Sequence, residues 1–236
     1  MPLFSIDYLT FMLPAFLLVL LAQWWVNSTM RRWSQVRNSS AMSGAEAAKR
    51  LLRFGSLGDV SLEGVPGNLT DHYDPQTRTL RLSPAVAQGQ SVAALAIAAH
   101  EIGHAEQDHQ GYVPLQFRSA LVPAVNIGSR LGWILILLGL ALRSALGTQL
   151  AWIGVASFSL GVLFALATLP VELNASARAR ALLVQSGLLH SPEEQQGVNQ
   201  VLTAAAFTYV AALAAAILQL LYWLSLVAGS GGRRRS

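Results

Sequence analysis

The stretch SVAALAIAAHEIGHAEQ, residues 91–107, decides how this chain is read. Val92 to Ala99 is an unbroken apolar run rich in alanine, and it leads into His100, Glu101 and His104. Alanine and leucine favour helix, and the run is too long for a typical strand. On a helix, residues four apart leave the same face about 6 Å apart along the axis. His100 and His104 therefore point the same way, with Glu101 one residue further round. A surface helix rarely opens with eight consecutive apolar residues, so the sequence carries both imidazoles into a core.

Two imidazoles at that spacing can share one divalent cation, with Nε2 atoms about 2.0–2.1 Å from zinc. Glu101 is then placed to hydrogen-bond a metal-activated water without ligating, the arrangement that metal-assisted hydrolysis requires. The chain has no cysteine, so a metal must be held by His and carboxylates. A third protein ligand is needed. A ligand six residues after the second His is excluded, because Gln110 stands there and His109 is off by one. Asp108 lies about 12 Å along the axis from His100, too far to share a metal. His190, Glu193 and Glu194 fall in a turn-like stretch. Glu172 follows Pro170 directly after a long apolar segment, and a carboxylate at a membrane exit needs a metal or an arginine as partner. Arg178 and Arg180 are the candidate arginines.

Outward from this helix the chain becomes strongly apolar. Of its 236 residues 53% are hydrophobic and only 12% charged, where a soluble domain has about 25% charged. This excludes an ordinary soluble enzyme, a disordered chain and a disulfide-stapled domain. No basic stripe with interleaved aromatics appears despite the +4 net charge, so nucleic acid is not an expected partner. Four apolar stretches carry the hydrophobicity: 8–26, 131–142, 149–169 and 201–228. The first ends on Trp24 and Trp25, suited to a membrane interface, and lacks a basic leader or cleavage pattern, so it reads as a retained anchor. The second is short for a span and needs extension back toward Leu121. Gly128, Gly132, Gly154 and Gly161 suit close helix packing in lipid. Arg31, Arg37 and Arg32 follow the first span, which puts residue 30 onward in the cytoplasm. Counting spans forward places the tail bearing Arg233 to Arg235 outside, against the same rule.

The polar part, 30–118, reads as a small α+β unit. Ser43 and Glu46 form a capping box opening a helix over 42–54, ended by Gly55. Short strands are expected over 60–65, 68–73 and 77–83, with Asp74-Pro75 as a turn. Leu80, Arg81 and Leu82 are expected in an edge strand beside the cleft, where an extended peptide could add. His72 and Tyr73 are candidate donors to an oxyanion, and Arg178 a candidate for binding substrate. The expected organisation is an anchor (1–29), a cytoplasmic α+β part with the His helix (30–118), a membrane hairpin (119–169), a helix carrying Glu172 (170–200), a last membrane helix (201–228) and a disordered basic tail (229–236).

His100-Glu-Ile-Gly-His104-Ala, Asp71-His-Tyr-Asp-Pro75 with Leu80-Arg-Leu-Ser83, and Pro170-Val-Glu-Leu-Asn-Ala-Ser176 together resemble the small bacterial membrane zinc metallopeptidases of the YugP type. The order of elements is similar along most of the chain, and a more distant likeness runs to the HtpX-type membrane proteases. The resemblance implies a mainly α, multi-pass membrane protein with a small zincin-like α+β catalytic domain. It implies a gluzincin-like site with one Zn²⁺ per chain on His100, His104 and Glu172, and Glu101 as general base. The expected activity is endopeptidase cleavage of protein or peptide substrates, membrane proteins among them, in the bacterial inner membrane with the site facing the cytoplasm. The rival expectation is a silent membrane scaffold or chaperone with a structural zinc.

Overall fold

Each of the four apolar stretches lies within a long helix in the computed structural model, which describes residues 6–142 and 144–232. These helices are α1 (Ile6–Ser34), α5 (Val113–Leu142), α6 (Ala145–Gln185) and α7 (Pro192–Gly232). Between α1 and α5 come α2 (Gly44–Phe54), β1 (Ser61–Gly64), β2 (His72–Asp74), β3 (Thr79–Leu82), α3 (Pro84–Gln88) and α4 (Val92–His109). The protein is thus mainly helical, with a small three-stranded sheet. All four long helices have the length and composition to cross a membrane.

The weak 131–142 stretch gains its length by running back to Val113, beyond the expected Leu121. Arg130 interrupts the hydropathy but not the helix, since arginine is a good helix former. Pro170 does not start a helix. It lies inside α6, which is continuous over 41 residues. Proline removes one backbone donor there, but the alanine- and leucine-rich residues on both sides keep the helix going. α7 likewise extends through Gly232, past the expected end at Ala228, while the tail arginines lie outside the described residues.

The chain packs as two units. One takes the described parts of Met1–Leu21, Phe117–Leu169 and Tyr209–Ser236. In it, α5 and α6 meet through glycines. A Cβ on Gly132 would stand 2.8 Å from the Gly154 carbonyl oxygen, and one on Gly154 would stand 2.7 Å from that of Gly132. Gly128 is less constrained, since a Cβ there would stand 2.8 Å from the flexible Leu160 side chain and 3.1 Å from the Ser157 carbonyl oxygen, whereas a Cβ on Gly161 meets nothing within 4 Å. Ile136, Ala151 and Val155 cluster with Trp223 and Val227 beside this seam.

The other unit takes Ala22–Gln116 and Pro170–Thr208. α2 opens on the expected capping box, with both the Ser43 and Glu46 bonds present. α4 opens on Ser91, whose hydroxyl accepts from the Ala94 N–H. Trp33, Leu51, Leu57, Leu95, Ile102 and Leu183 are fully buried in one core shared by α2, α4, the sheet and the polar ends of the long helices.

The strand order is β1-β3-β2, with β3 parallel to β1 and antiparallel to β2. Leu80, Arg81 and Leu82 therefore occupy the central strand, which corrects the expectation of an edge strand there. Backbone ladders on both sides consume the groups a peptide would need. Leu80 and Leu82 are buried, and Arg81 pairs with Glu63 at 3.1 Å and Asp74 at 3.0 Å across the two ladders. The Arg81 bond holds the half-buried Asp74 carboxyl down at about 2.

Candidate metal centre

α4 supplies the first two ligand candidates. Its apolar first half anchors it in the core, so its more open line is Ile97, His100, His104 and Asp108. The two imidazole rings stand 4.9 Å apart, nearly perpendicular. Glu172 comes from α6 and is buried. Its Oε2 lies 3.2 Å from His100 Nε2 and 3.6 Å from His104 Nε2. One donor atom from each of the three residues falls within 4.8 Å of the others.

Gly103 makes this convergence possible. A Cβ on it would stand 2.5 Å from the Ala175 carbonyl oxygen, so α6 approaches α4 backbone to backbone one turn from Glu172. The two middle residues of the His-Glu-x-x-His pattern are thus not neutral spacers.

The outer nitrogens of both rings are also engaged. His104 Nδ1 lies 3.0 Å from Gln107 Oε1, and His100 Nδ1 lies 3.3 Å from Ser176 Oγ. The Gln107 amide has a fixed sense, because its nitrogen donates to Val171 O at 2.8 Å and Asn174 Oδ1 at 2.9 Å. Its oxygen can then only accept, which puts the His104 proton on Nδ1 and leaves Nε2 facing Glu172. Arg178 Nε donates to the same Asn174 oxygen at 2.7 Å. Ligand histidines are oriented in this way at metal sites.

Glu101 is buried beside the pair. Its Oε2 accepts from the Tyr73 backbone N–H at 3.2 Å. Burial pushes its carboxyl above the usual range, against the pull of His100 and His104. Burial opposes charge on His104, yet its hydrogen bond to the accepting Glu172 carboxylate and the nearby Glu101 hold its imidazole above the ordinary value.

The donor set fits zinc. Two imidazole nitrogens and one carboxylate oxygen are the borderline ligands it takes, and three protein ligands leave a coordination place open. Among the described residues, neither Glu101 nor Asp108 joins the set.

The other sequence candidates are held elsewhere. The Tyr73 hydroxyl donates to Asp108 at 2.8 Å, and burial together with that bond raises its pKa. His72 lies on the opposite face of β2, exposed, its Nδ1 2.8 Å from Thr70 O. Arg178 is engaged by Asn174, by Gln110 at 2.7 Å and by Glu106 at 3.5 Å. Glu194 caps α7 by accepting from the Ser191 N–H, and accepts from the Ser39 N–H at 2.7 Å. Sequence reasoning missed Gln107 and Ser176 as supports. Gln107 sits among the polar residues Glu106, Asp108 and His109, so the sequence carries no local signal for its role.

A mainly α chain with four helices long enough to cross a membrane, whose His-Glu-x-x-His helix meets a distant glutamate, has the layout of a membrane metalloprotein. The chain belongs to the family described as "Putative neutral zinc metallopeptidase", whose model matches residues 8–228. It is similar to "Putative membrane protease YugP" of Bacillus subtilis (strain 168), with 44% identity over 205 residues covering 87% of this chain and 89% of that protein. No solved structure matches the chain.

Proposed function

We propose that this protein is a zinc-dependent endopeptidase of a bacterial inner membrane, with one zinc per chain and its site on the cytoplasmic side. The observation that carries the reading is the meeting of His100, His104 and Glu172 with Glu101 buried next to them. His100 Nε2, His104 Nε2 and a Glu172 oxygen would hold the metal. Zinc in such a site supplies a Lewis acid that brings the pKa of water to about 7. Glu101 accepts the proton of the attacking water and delivers it to the leaving amine nitrogen. The Tyr73 N–H steadies that carboxylate between the two transfers.

Substrate binding moves from β3 to β2. In an antiparallel pair the N–H and C=O of one residue point to the same side. The Tyr73 N–H points away from β3 toward Glu101, so its carbonyl also lies on the outer edge. With the N–H held by Glu101, the Tyr73 carbonyl is the group left to an extended peptide lying along this edge, which passes beside the general base. The cytoplasmic assignment rests on Arg31, Arg32 and Arg37 after the first span. A structural zinc in a silent scaffold would call for four protein ligands, and three fit the enzyme better.

The test uses the purified, zinc-loaded full-length protein and an unfolded membrane-protein substrate. Glu101→Gln is expected to keep one zinc per chain while cleavage falls by about 10²–10⁴-fold. Loss of zinc in that variant would make Glu101 a ligand, and undiminished cleavage would remove it as the base.

A further inference from the structure

A groove of about 830 Å³ lies along the first half of α4. Its walls are the end of α1, the loop before β2, and α3 with the turn that follows it. Met30, Leu69, Val86 and Ile97 give it an apolar lining, and Arg31 and Arg37 stand on its α1 side. No carboxylate is among its lining residues. Arg37 donates one bond to Gln90 at 2.7 Å, leaving most of its five N–H groups open. Arg31 is exposed and has no ion pair among the described residues.

Two links join this groove to the metal centre within the same unit. From Val92 to Ile102, Ile97 and His100 are the only α4 residues that are not buried. Ile97 is therefore the groove's end of the same open line that carries the ligands, one helical turn from Glu101. The second link is the wall. Asn68 and Leu69 line the groove, and Asp71 accepts from the Ser83 N–H at 2.7 Å just before β2 begins. The chain entering β2 is therefore itself the groove's wall, with Leu69 three residues before the strand begins.

Resting on the peptidase reading, we infer that the groove is the substrate's flanking subsite and selects an extended peptide with an apolar residue and acidic side chains on one side of the scissile bond. The apolar residue lies against Met30, Val86 and Ile97, and the carboxylates meet Arg31 and Arg37. The first turn of α4, with Ala93 and Ala94 on the groove, adds a favourable field for negative charge. The groove opens beside the α1 residues that directly follow the apolar stretch 8–26, so the substrate class is an acidic segment next to a membrane span.

The test uses three fluorescein-labelled, quenched peptides that share one apolar centre and carry two Asp, two Asn or two Lys on one flank. Binding is read by anisotropy and cleavage by dequenching, on the zinc-loaded full chain in phosphatidylcholine nanodiscs. The acidic peptide is expected to bind about tenfold tighter than the amide peptide, and the preference should shrink as salt rises. R31Q/R37Q should abolish the preference. R31E alone, at an exposed unpaired position, should favour the Lys peptide. Equal binding of all three peptides to the unaltered protein overturns the subsite, while their cleavage would leave the peptidase reading intact. Selective binding with no cleavage of any peptide overturns the peptidase reading and keeps the subsite. If peptide binding is unselective and R31Q/R37Q instead loses co-purified phosphatidylglycerol, the groove holds a lipid headgroup and the proposal fails.

Discussion

Gln107 shows how much of the centre depends on a residue that touches no metal. It is fully buried, and all three of its bonds are directional: two donated from nitrogen and one accepted at oxygen from His104. Gln107→Leu keeps the volume but leaves the His104 Nδ1–H unpaired, so the ring is free to rotate or change tautomer. We expect zinc affinity, read by chelator competition, to fall about 10–100-fold. Cleavage should largely return at saturating zinc. Unchanged affinity would show that the amide only fills space. Gln107→Glu is the sharper comparison. It keeps an acceptor for His104 but faces two further acceptors, Val171 O and Asn174 Oδ1, and should fail to restore the native affinity. The candidate His pair was legible in the sequence because metal chemistry fixes the residue types and the helix fixes their spacing, and Glu172 was singled out only by its place after a long apolar segment. The supports were not, because a hydrogen bond from α4 to α6 spans residues 107 and 174 and has no local pattern.

At the scale of elements, the contact of α4 with α6 decides whether the ligand set closes. Gly103 and Gly161 are both helix-interior glycines, and intrinsic propensity alone favours alanine at either by about 1 kcal/mol. Packing separates them. A Cβ at Gly103 drives against the Ala175 backbone at 2.5 Å, with no flexible side chain to yield, while at Gly161 it meets open space. Gly103→Ala should therefore cost about 1–3 kcal/mol of thermal stability and lower zinc affinity, because Glu172 moves away with α6. Gly161→Ala should be neutral or slightly stabilising. Tryptophan-fluorescence melting of both variants checks this, and a stable, fully loaded Gly103→Ala protein would refute the close contact. Elements whose signals are local were legible: the capping box at Ser43, the helix end at Gly55, the turn after Asp74. Strand order was not. The alternation in Thr79–Leu82 suits a central strand as well as an edge one, and only burial by β1 and β2 on either side distinguishes them.

At the scale of the whole molecule, the metal centre constrains the membrane topology. His104 and Glu172 are 68 residues apart in sequence, and α5 and the apolar part of α6 lie between them. If one helix crossed and the other did not, Glu172 would end about 30 Å away across the hydrocarbon core. Ligation by all three residues therefore requires an even number of crossings in this interval. The glycine seam between α5 and α6 suits two antiparallel spans. The absence of cysteine allows a direct test, with single cysteines at Ser56, Ala145 and Glu193, all exposed or in connecting segments. In intact cells an impermeant thiol reagent should label Ala145→Cys and spare the other two. Labelling of Ser56→Cys and Glu193→Cys but not Ala145→Cys would invert the orientation and leave the hairpin intact. Labelling of only one of Ser56→Cys and Glu193→Cys would put the His helix and the glutamate helix on opposite sides of the membrane. In that case Glu172 could not bind the metal held by His100 and His104, and the ligand set itself would be refuted.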